Sequence, residues 1–277
     1  MSPFASLLAI PFPAIDPVAL QIGPIAIRWY GLAYVAGLLL GWLYLKRLVA
    51  TPRLWRDEKP PFSPELADDL FIWVAIGVIV GGRLGHVLLY EPGYYLSHPL
   101  QILYVWQGGM AFHGGMLGTI LAMYLFARRQ GVSALSVMDT VSAAVPIGLF
   151  FGRIANFINA EIVGSVTTVP WGIVFPGYGD QPRHPAMLYE AALEGAALFL
   201  ILRYLIYRQR ALATPGLIGA AFLAGYGGFR IICEFFKYDE YRTIVSDGWL
   251  TTGMIYSIPM ALFGAVAYLV LRPRTAS

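Results

Sequence analysis

An arginine, two asparagines and a glutamate follow an apolar run that is typical of a membrane-buried segment. The apolar run covers 141–151, and Arg153, Asn156, Asn159 and Glu161 come directly after it. An arginine at the centre of a bilayer costs about 2.5 to 3.5 kcal/mol on translocon-based scales, so its presence requires a compensating role. Arg153, Asn156 and Ala160 recur at positions i, i+3 and i+7, which predicts that they share one face of a helix. A ligand that carries a phosphate group would give this face a purpose.

A second arginine lies in another apolar stretch and has a carboxylate one helical turn further on. Arg230 precedes Glu234 by four residues, a spacing that favours an ion pair on one helix face. Arg153 and Arg230 could both be structural residues that are paired internally. Two guanidinium groups that face a cavity would instead offer the forked donors that bind a phosphodiester. We favour the phosphate-binding interpretation.

A histidine flanked by glycines is a candidate general base. His113 lies between Gly108–Gly109 and Gly114–Gly115, where an apolar run begins. The positive end of a helix dipole disfavours an imidazolium, and a neutral imidazole is the form that a base requires. A histidine that is hydrogen-bonded within a glycine-packed helix interface fits the same pattern. The sequence is compatible with both roles.

Two more polar clusters occur at expected helix ends. Arg183 precedes His184 and Pro185, and a proline fits the first position of a helix. Arg183 could contact a lipid headgroup or belong to a polar helix start. Tyr30 and Tyr34 lie one turn apart and fit either the aromatic belt at a membrane surface or a ligand site.

The composition is typical of a polytopic membrane protein. Of 277 residues, 58% are hydrophobic and 13% are charged, whereas about a quarter of the residues in soluble proteins are charged. The single cysteine, Cys233, excludes an internal disulfide and a cysteine-based metal cluster. No serine-hydrolase elbow, zinc-protease motif or phosphate-binding loop occurs in the sequence. We therefore expect neither a metal nor another cofactor.

Seven apolar stretches are long enough to cross the core of a bilayer, which takes about 20 helical residues. They lie near 24–46, 68–90, 111–128, 138–158, 187–208, 216–236 and 250–271. Segment 91–109 is rich in aromatic and turn residues, which predicts an amphipathic arm in the outer interface. Segment 162–184 mixes β-prone and turn residues, which predicts a cap of short strands. We predict an all-α polytopic membrane protein with about seven transmembrane helices, an outer interfacial arm and a small extracytoplasmic cap, in one integral membrane domain over 1–277.

Basic residues predict the orientation in the membrane. Most of them follow the odd-numbered spans, at Lys46, Arg47, Arg53, Arg56, Lys59, Arg128, Arg129, Arg203, Arg208, Arg210, Arg272 and Arg274. The positive-inside rule then makes the N-terminus extracytoplasmic and the C-terminus cytoplasmic. The histidines and most charges within spans fall on the outer side, so we expect any chemistry to face the extracytoplasmic side.

Taken together, the motifs resemble the bacterial prolipoprotein diacylglyceryl transferase family. The stretch 152–164 resembles the family signature Gly-Arg-x-Gly-Asn-Phe-x-Asn-Gly-Glu followed by Gly. Further similarities, in the same order as in the family, are His-Gly-Gly at 113–115, Arg-His-Pro at 183–185, Leu-Tyr-Glu at 188–190, Phe-Arg with a following Glu at 229–234, and Trp-Tyr-Gly-Leu at 29–32. The sequence departs from the pattern at Ala155 and Ala160, where glycines are usual, and at Met187 and Met254, where side-chain amides are expected.

The resemblance implies an enzyme of lipoprotein maturation. It implies transfer of the diacylglyceryl group from phosphatidylglycerol to the lipobox cysteine thiol of a prolipoprotein, with formation of a thioether and release of glycerol phosphate, as the first step of that maturation. The implied partners are phosphatidylglycerol, prolipoprotein signal peptides and the lipid bilayer, with no nucleic acid. The implied location is the bacterial cytoplasmic (inner) membrane.

The resemblance also implies roles for individual residues. His113 would be the base for a thiol whose free pKa is about 8.5, and Arg153 and Arg230 would stabilise the departing phosphate. An arginine-centred network is the other candidate for activating the thiol. The implied substrate-binding residues are Tyr30, Asn156, Asn159, Glu161, Gly164, Arg183 and Glu234.

A transporter of an anionic lipid or small anion is the alternative function. Its binding site would also use arginines. Many transporters show inverted repeats and interrupted helices in both halves. The sequence shows no convincing repeat, and its polar groups are concentrated on one side, so we prefer the transferase.

Overall fold

The described part of the chain is mostly helical. A computed structural model describes residues 10–13, 15–238 and 250–273. The α-helices within these ranges are α1 Trp29–Val49, α2 Leu66–Leu89, α3 Pro92–Ser97, α4 Phe112–Gln130, α5 Ala134–Ile158, α6 Ala186–Glu190, α7 Leu198–Gln209, α8 Leu217–Glu234 and α9 Thr252–Leu271. The π-helical turn Ala191–Ala197 joins α6 to α7. Short 3₁₀ turns occur at Pro52–Leu54, Arg56–Glu58, Pro99–Leu103, Val105–Gln107 and Ala211–Ala213.

Five of the described helices are long and apolar enough to cross a membrane: α1, α2, α5, α8 and α9. Only 17% of the most apolar window of α2, and the same share of α9, is buried inside the protein. An apolar surface that is left exposed in this way is what a helix in lipid requires. The prediction of a mostly helical membrane protein is confirmed.

The predicted third and fifth spans are also helical. They are not among the helices that are both long and apolar enough to cross a membrane. The third corresponds to α4, which begins with a histidine and two glycines. The fifth corresponds to a helical stretch over 186–209, which the π-helical turn divides into shorter elements. The number of seven spans therefore stays a prediction.

The first of two compact units comprises the described residues of Met1–Leu43, Ser142–Ala211 and Leu217–Ser277. Within it, α8 packs against α9 and α7. A Cβ atom built on Gly195 would lie 2.7 Å from Cβ of Phe150. This close approach holds the π-helical turn against α5.

The strands of the first unit are short. β1 (Ile10–Pro11) pairs in parallel with β4 (Ile173–Val174), and β2 (Val18–Ile22) forms an antiparallel hairpin with β3 (Ile25–Arg28). Gly23 has a positive φ of 57° and makes the tight turn of the hairpin. The prediction that the first span begins near residue 24 is therefore wrong by five residues: α1 begins at Trp29 because the hairpin takes up the preceding residues.

Segment 162–184 folds onto the helix ends of the same unit. The backbone of Gly164 pairs with that of Lys237, and Val166 and Ile173 both pair with Arg183. Beneath these pairings is a small core that consists of Val163, Ile173, Phe175 and Met187. Met187 is fully buried in this core, so an apolar side chain is well suited to the position where the family pattern has an amide.

The second unit comprises Tyr44–Val141 and Leu212–Gly216. Its main contact is the packing of α2 against α4, which depends on glycine. A Cβ atom built on Gly77 would lie 2.6 Å from the carbonyl oxygen of Gly118, and one built on Gly85 would lie 2.7 Å from Cα of Gly114. Only glycine permits helix backbones to approach this closely.

Candidate active site

Arg153 lies near the C-terminal end of α5 and contacts a buried carboxylate. Its Nε lies 2.8 Å from Oε2 of Glu190, and its Nη1 donates a hydrogen bond of 3.3 Å to Oδ1 of Asn156. The spacing of three residues thus brings Arg153 and Asn156 into contact, as predicted. Ala160 does not share their helix face, because α5 ends at Ile158. The arginine side chain keeps 19% of its surface exposed, so a ligand can reach it.

Glu190, the last residue of α6, contacts three cationic side chains. Besides Arg153, it contacts Arg230 of α8 through Nη1, and Nζ of Lys237 lies 3.3 Å from its Oε1. Its side chain has no exposed surface. Glu190 is therefore a shared anion that the two arginines and the lysine surround.

Arg230 contacts two further carboxylates. Its Nη1 lies 3.5 Å from Oε1 of Glu194 in the π-helical turn, and its Nη2 lies 3.8 Å from Oε2 of Glu234. Nζ of Lys237 is 3.5 Å from the same oxygen of Glu234. The predicted pair of Arg230 and Glu234 is present, and Glu190 is the nearer partner of this arginine.

The buried network contains as many carboxyl groups as cationic side chains. The three carboxylates of Glu190, Glu194 and Glu234 face the three cations of Arg153, Arg230 and Lys237. Removal of one partner from a buried ion pair costs about 3 to 5 kcal/mol, because a charge is left without compensation. The network thus holds two arginines at a fixed place while each keeps part of its surface exposed.

A turn after α5 extends the network through amides. Nδ2 of Asn156 donates to Oε2 of Glu161 at 3.1 Å, and Nδ2 of Asn159 donates to the other carboxylate oxygen at 3.4 Å. The turn requires the left-handed backbone conformation at Ala160 and Ile162, whose φ angles are 54° and 56°. Glu161 therefore orients the two asparagines, and Asn156 connects it to Arg153.

Arg183 is a buried cation that aromatic rings surround. Its guanidinium carbon lies 4.2 Å from the centre of the Tyr238 ring and 5.7 Å from that of Tyr178. Its Nη1 donates to the carbonyl oxygen of Gly164 at 3.3 Å. A Cβ atom on Gly164 would lie 2.6 Å from Cβ of His184, so glycine is needed where these backbones meet.

His184 follows Arg183 and packs among aromatic rings. Its Nδ1 lies 3.1 Å from the hydroxyl oxygen of Tyr189, and its ring packs edge-on against Phe236. Burial lowers the pKa of the His184 imidazole. The residue is therefore neutral above its ordinary pKa of about 6.5 and adds no further cation near Arg183.

Tyr30 lies in the first turn of α1. Its hydroxyl oxygen is 3.3 Å from that of Tyr34, and the two ring centres are 5.0 Å apart. The predicted spacing of one helical turn thus brings the two hydroxyl groups together. A pair of hydroxyl groups can both donate to and accept from a polar headgroup.

His113 belongs to the second unit. It is the second residue of α4 and its side chain is exposed, whereas the two glycines that follow are buried. The entry to α4 is fixed by a backbone hydrogen bond of 2.9 Å from Ala111 to the carbonyl oxygen of Gly82. The histidine is thus presented at the beginning of a helix, as predicted.

Arg83 of α2 fixes the segment that leads to His113. Its Nε donates to the carbonyl oxygen of Ile102 at 2.9 Å, and its Nη1 donates to that of Gly108 at 2.7 Å. Its guanidinium carbon is 5.1 Å from the centre of the Tyr95 ring. One buried arginine therefore joins three points of segment 91–109 to α2.

The structure brings most of the predicted site residues of the first unit into contact with one another. The residues that contacts join into one network are Arg153, Asn156, Asn159, Glu161, Arg230 and Glu234. Gly164 and Arg183 contact each other, Tyr30 contacts Tyr34, and His113 lies in the other unit. The catalytic and binding roles of all these residues stay predictions.

The predicted site left out three members of the network, namely Glu190, Glu194 and Lys237, although Glu190 belongs to the Leu-Tyr-Glu motif at 188–190. The first two are carboxylates four residues apart within the predicted fifth span. An ionisable residue inside a span is a functional candidate by default, and this rule would have found both. Nothing in the sequence pairs Lys237 with Glu190.

A comparison with models of protein families shows to which family the chain belongs. The model described as prolipoprotein diacylglyceryl transferase matches residues 17–270. The chain belongs to this family. The resemblance that the motifs indicated is thereby confirmed.

Curated relatives of the chain carry a more specific name. A protein of Rhizobium meliloti is 50% identical over 279 residues, which cover 100% of this chain and 99% of that protein. A protein of Brucella anthropi is 52% identical over 257 residues, which cover 92% of each chain. Both are named phosphatidylglycerol–prolipoprotein diacylglyceryl transferase.

Proposed function

We propose that this chain transfers the diacylglyceryl group of phosphatidylglycerol to the lipobox cysteine thiol of a prolipoprotein. The observation that carries the proposal is the family match over residues 17–270. The site chemistry supports it, because Arg153 and Arg230 share a buried carboxylate and each keeps 19% of its side chain exposed. Such a pair of guanidinium groups suits a phosphodiester headgroup.

The reaction makes specific demands on the site. The cysteine sulfur forms a bond to the terminal glycerol carbon of the diacylglyceryl group, and the bond between that carbon and the phosphate oxygen breaks. The thiol loses its proton, a thioether forms, and glycerol phosphate leaves. The negative charge on the phosphate increases as the bond breaks, so cations beside it stabilise the transition state more than the ground state.

Within this proposal, Arg153 and Arg230 bind the departing phosphate. Asn156 donates to a phosphate or glycerol oxygen, and Glu161, which accepts a hydrogen bond from Asn156, keeps that amide oriented. The remaining substrate contacts are Tyr30, Asn159, Gly164, Arg183 and Glu234. Their support is the family resemblance together with their contacts in the first unit.

His113 is the proposed base that accepts the thiol proton. Its support is the family resemblance together with its exposed position at the start of α4. A neutral imidazole can accept a proton from a thiol near neutral pH.

The proposed setting is the bacterial inner membrane, with one integral membrane domain over 1–277 and about seven spans. The N-terminus is extracytoplasmic, the C-terminus is cytoplasmic, and the site faces the extracytoplasmic side. Both termini lie outside the described residues. Segment 91–109 is the interfacial arm, which the exposure of Leu96 and Trp106 supports, and 162–184 is the extracytoplasmic cap.

A transfer assay with purified protein tests the proposal. Phosphatidylglycerol and a lipobox peptide are incubated with the wild type and with Arg153→Ala, Arg230→Ala and His113→Ala variants. We expect thioether-linked peptide from the wild type, and losses of about 100-fold or more for each arginine variant. Movement of phosphatidylglycerol across the membrane without thioether formation would instead support a transporter.

Two outcomes separate the roles of the residues. If Arg153→Ala loses all activity and His113→Ala loses none, His113 is not the base, and the role of Arg153 in binding phosphate is retained. Equal activity in all variants would reject the site as a whole.

A further inference from the structure

Glu190 is the one described carboxylate that contacts all three cations of the buried network. Arg153 approaches it from α5, Arg230 from α8, and Lys237 from the residues after α8. By contrast, the ion-pair contact of Glu194 is with Arg230 alone, and Glu234 contacts Arg230 and Lys237. Among these carboxylates, only Glu190 is a direct link between the two arginines.

The contacts of Glu190 leave donors of both arginines for another ligand. Arg153 directs Nε to Glu190 and Nη1 to Asn156, which leaves its Nη2. Arg230 directs Nη1 to Glu190, and its Nη2 is as far as 3.8 Å from Glu234. Both arginine side chains are 19% exposed, whereas Glu190 has no exposed surface. A phosphate can therefore reach the arginines while Glu190 holds them from the buried side.

Without the charge of Glu190, the arrangement of the two arginines would change. Two guanidinium groups that are desolvated next to each other repel, and a shared carboxylate between them removes that repulsion. The negative charge of an anionic substrate would then have to replace that of Glu190. The two arginines would move apart, and they would bind the phosphate at a position displaced from the one that the reaction requires. Orientation of this kind governs the rate of the chemical step, because small displacements of a catalytic group are costly.

We propose that Glu190 is a positioning residue of the transfer reaction, which sets the spacing of Arg153 and Arg230 for the departing phosphate. The proposal rests on the proposed function. It assigns no contact between Glu190 and the substrate. Its effect on the reaction passes through the two arginines.

The chain offers a matched control in Glu194. It is the same residue type, lies four residues further along the same helical stretch and is equally buried, with no exposed side-chain surface. The difference is that its ion-pair contact is with one cation, at 3.5 Å. A role that depends on burial of a carboxylate predicts equal effects at both positions, and a role that depends on linking the arginines does not.

The experiment measures kcat and KM for phosphatidylglycerol in the transfer assay, with apparent Tm as a control of folding. Glu190→Gln is expected to lower kcat by about 100-fold with a much smaller change in KM. Glu194→Gln is expected to lower kcat by only about tenfold. The combined loss of Glu190→Gln and Arg153→Lys should be smaller than the product of the two single losses, since both changes disturb the contact between these two residues.

Three results would overturn the proposal: activity of Glu190→Gln close to that of the wild type, equal losses in the two glutamine variants, or full additivity with Arg153→Lys. If Glu190→Gln does not fold, Glu190→Asp decides, because it keeps the charge on a shorter side chain. We then expect a loss of about tenfold, and full activity would contradict the proposal. A wild type that forms no thioether is a failure of the proposed function, and it is recognised before any variant is compared.

Discussion

At the scale of single residues, two alanines that replace glycines of the family signature lie in opposite environments. Ala160 has a φ of 54°, in the left-handed region that favours glycine. Ala155 lies within the regular α5 helix and is fully buried. The backbone conformation thus favours glycine at position 160 and does not favour it at position 155.

We predict that Ala160→Gly raises the free energy of unfolding by about 0.5 to 1 kcal/mol, since it relieves a left-handed alanine. Ala155→Gly is the matched control. It should lower the free energy of unfolding by about 1 kcal/mol or more, because glycine is unfavourable within a helix and a buried methyl group is lost. Denaturation of the purified variants in detergent measures both values. A shift of the same sign in the two variants would contradict the explanation.

The candidate site was only partly predictable from the sequence. The contact of Arg153 with Asn156 and that of Arg230 with Glu234 follow from spacing within one helix, and both are present. The nearer partner of both arginines is Glu190, which lies on another helix. Spacing along the chain says nothing about contacts between helices, so this carboxylate was not assigned to the site.

At the scale of elements, glycine packing joins α2 and α4 in the second unit. A Cβ atom on Gly118 would lie 2.8 Å from Cα of Gly81, which is too close for any side chain. A Cβ atom on Gly115, one turn earlier in α4, would lie 3.5 Å from the nearest atom, at an ordinary contact distance. The two glycines therefore differ in packing and share the same helix.

We predict that Gly118→Ala destabilises the protein by about 1 to 3 kcal/mol, because the helices must separate. Gly115→Ala should be neutral or slightly stabilising, since alanine is favoured by up to about 1 kcal/mol within a helix. Apparent Tm in detergent is the measurement. The account of the packing is wrong if Gly118→Ala is at least as stable as Gly115→Ala.

Hydropathy predicted the presence of the helices more accurately than the residues at which they begin and end. The second and sixth predicted spans, 68–90 and 216–236, agree with α2 and α8 within about two residues. The first does not, because Gly23 and Pro24 reverse the chain into a β-hairpin before α1. The fifth contains a π-helical turn at a pair of buried glutamates. An irregularity of this kind depends on packing and has no hydropathy pattern.

At the scale of the whole molecule, the proposed orientation can be tested with introduced cysteines. The natural cysteine, Cys233, is buried, so an added exposed thiol gives a separate labelling reaction. Asp180, in the proposed cap, and Lys59, in a proposed cytoplasmic loop, are both exposed. We predict that a membrane-impermeant maleimide labels Asp180→Cys in intact spheroplasts, and labels Lys59→Cys only after permeabilisation.

The wild type provides the control for reaction at Cys233. Labelling of Lys59→Cys in intact spheroplasts would reverse the orientation, and the site would then face the cytoplasm. Labelling of both positions in intact spheroplasts would contradict the proposed number of spans between them.

The central claim is that the chain moves a diacylglyceryl group to a thiol with loss of glycerol phosphate, and the stoichiometry of the products tests it most directly. Purified protein is given phosphatidylglycerol and a lipobox peptide, and the lipidated peptide and the released glycerol phosphate are quantified by mass spectrometry. The account predicts equal amounts of both products, a thioether on the cysteine, and no product from a peptide with serine at that position. Glycerol phosphate without lipidated peptide, or lipidation that persists on the serine peptide, would contradict it.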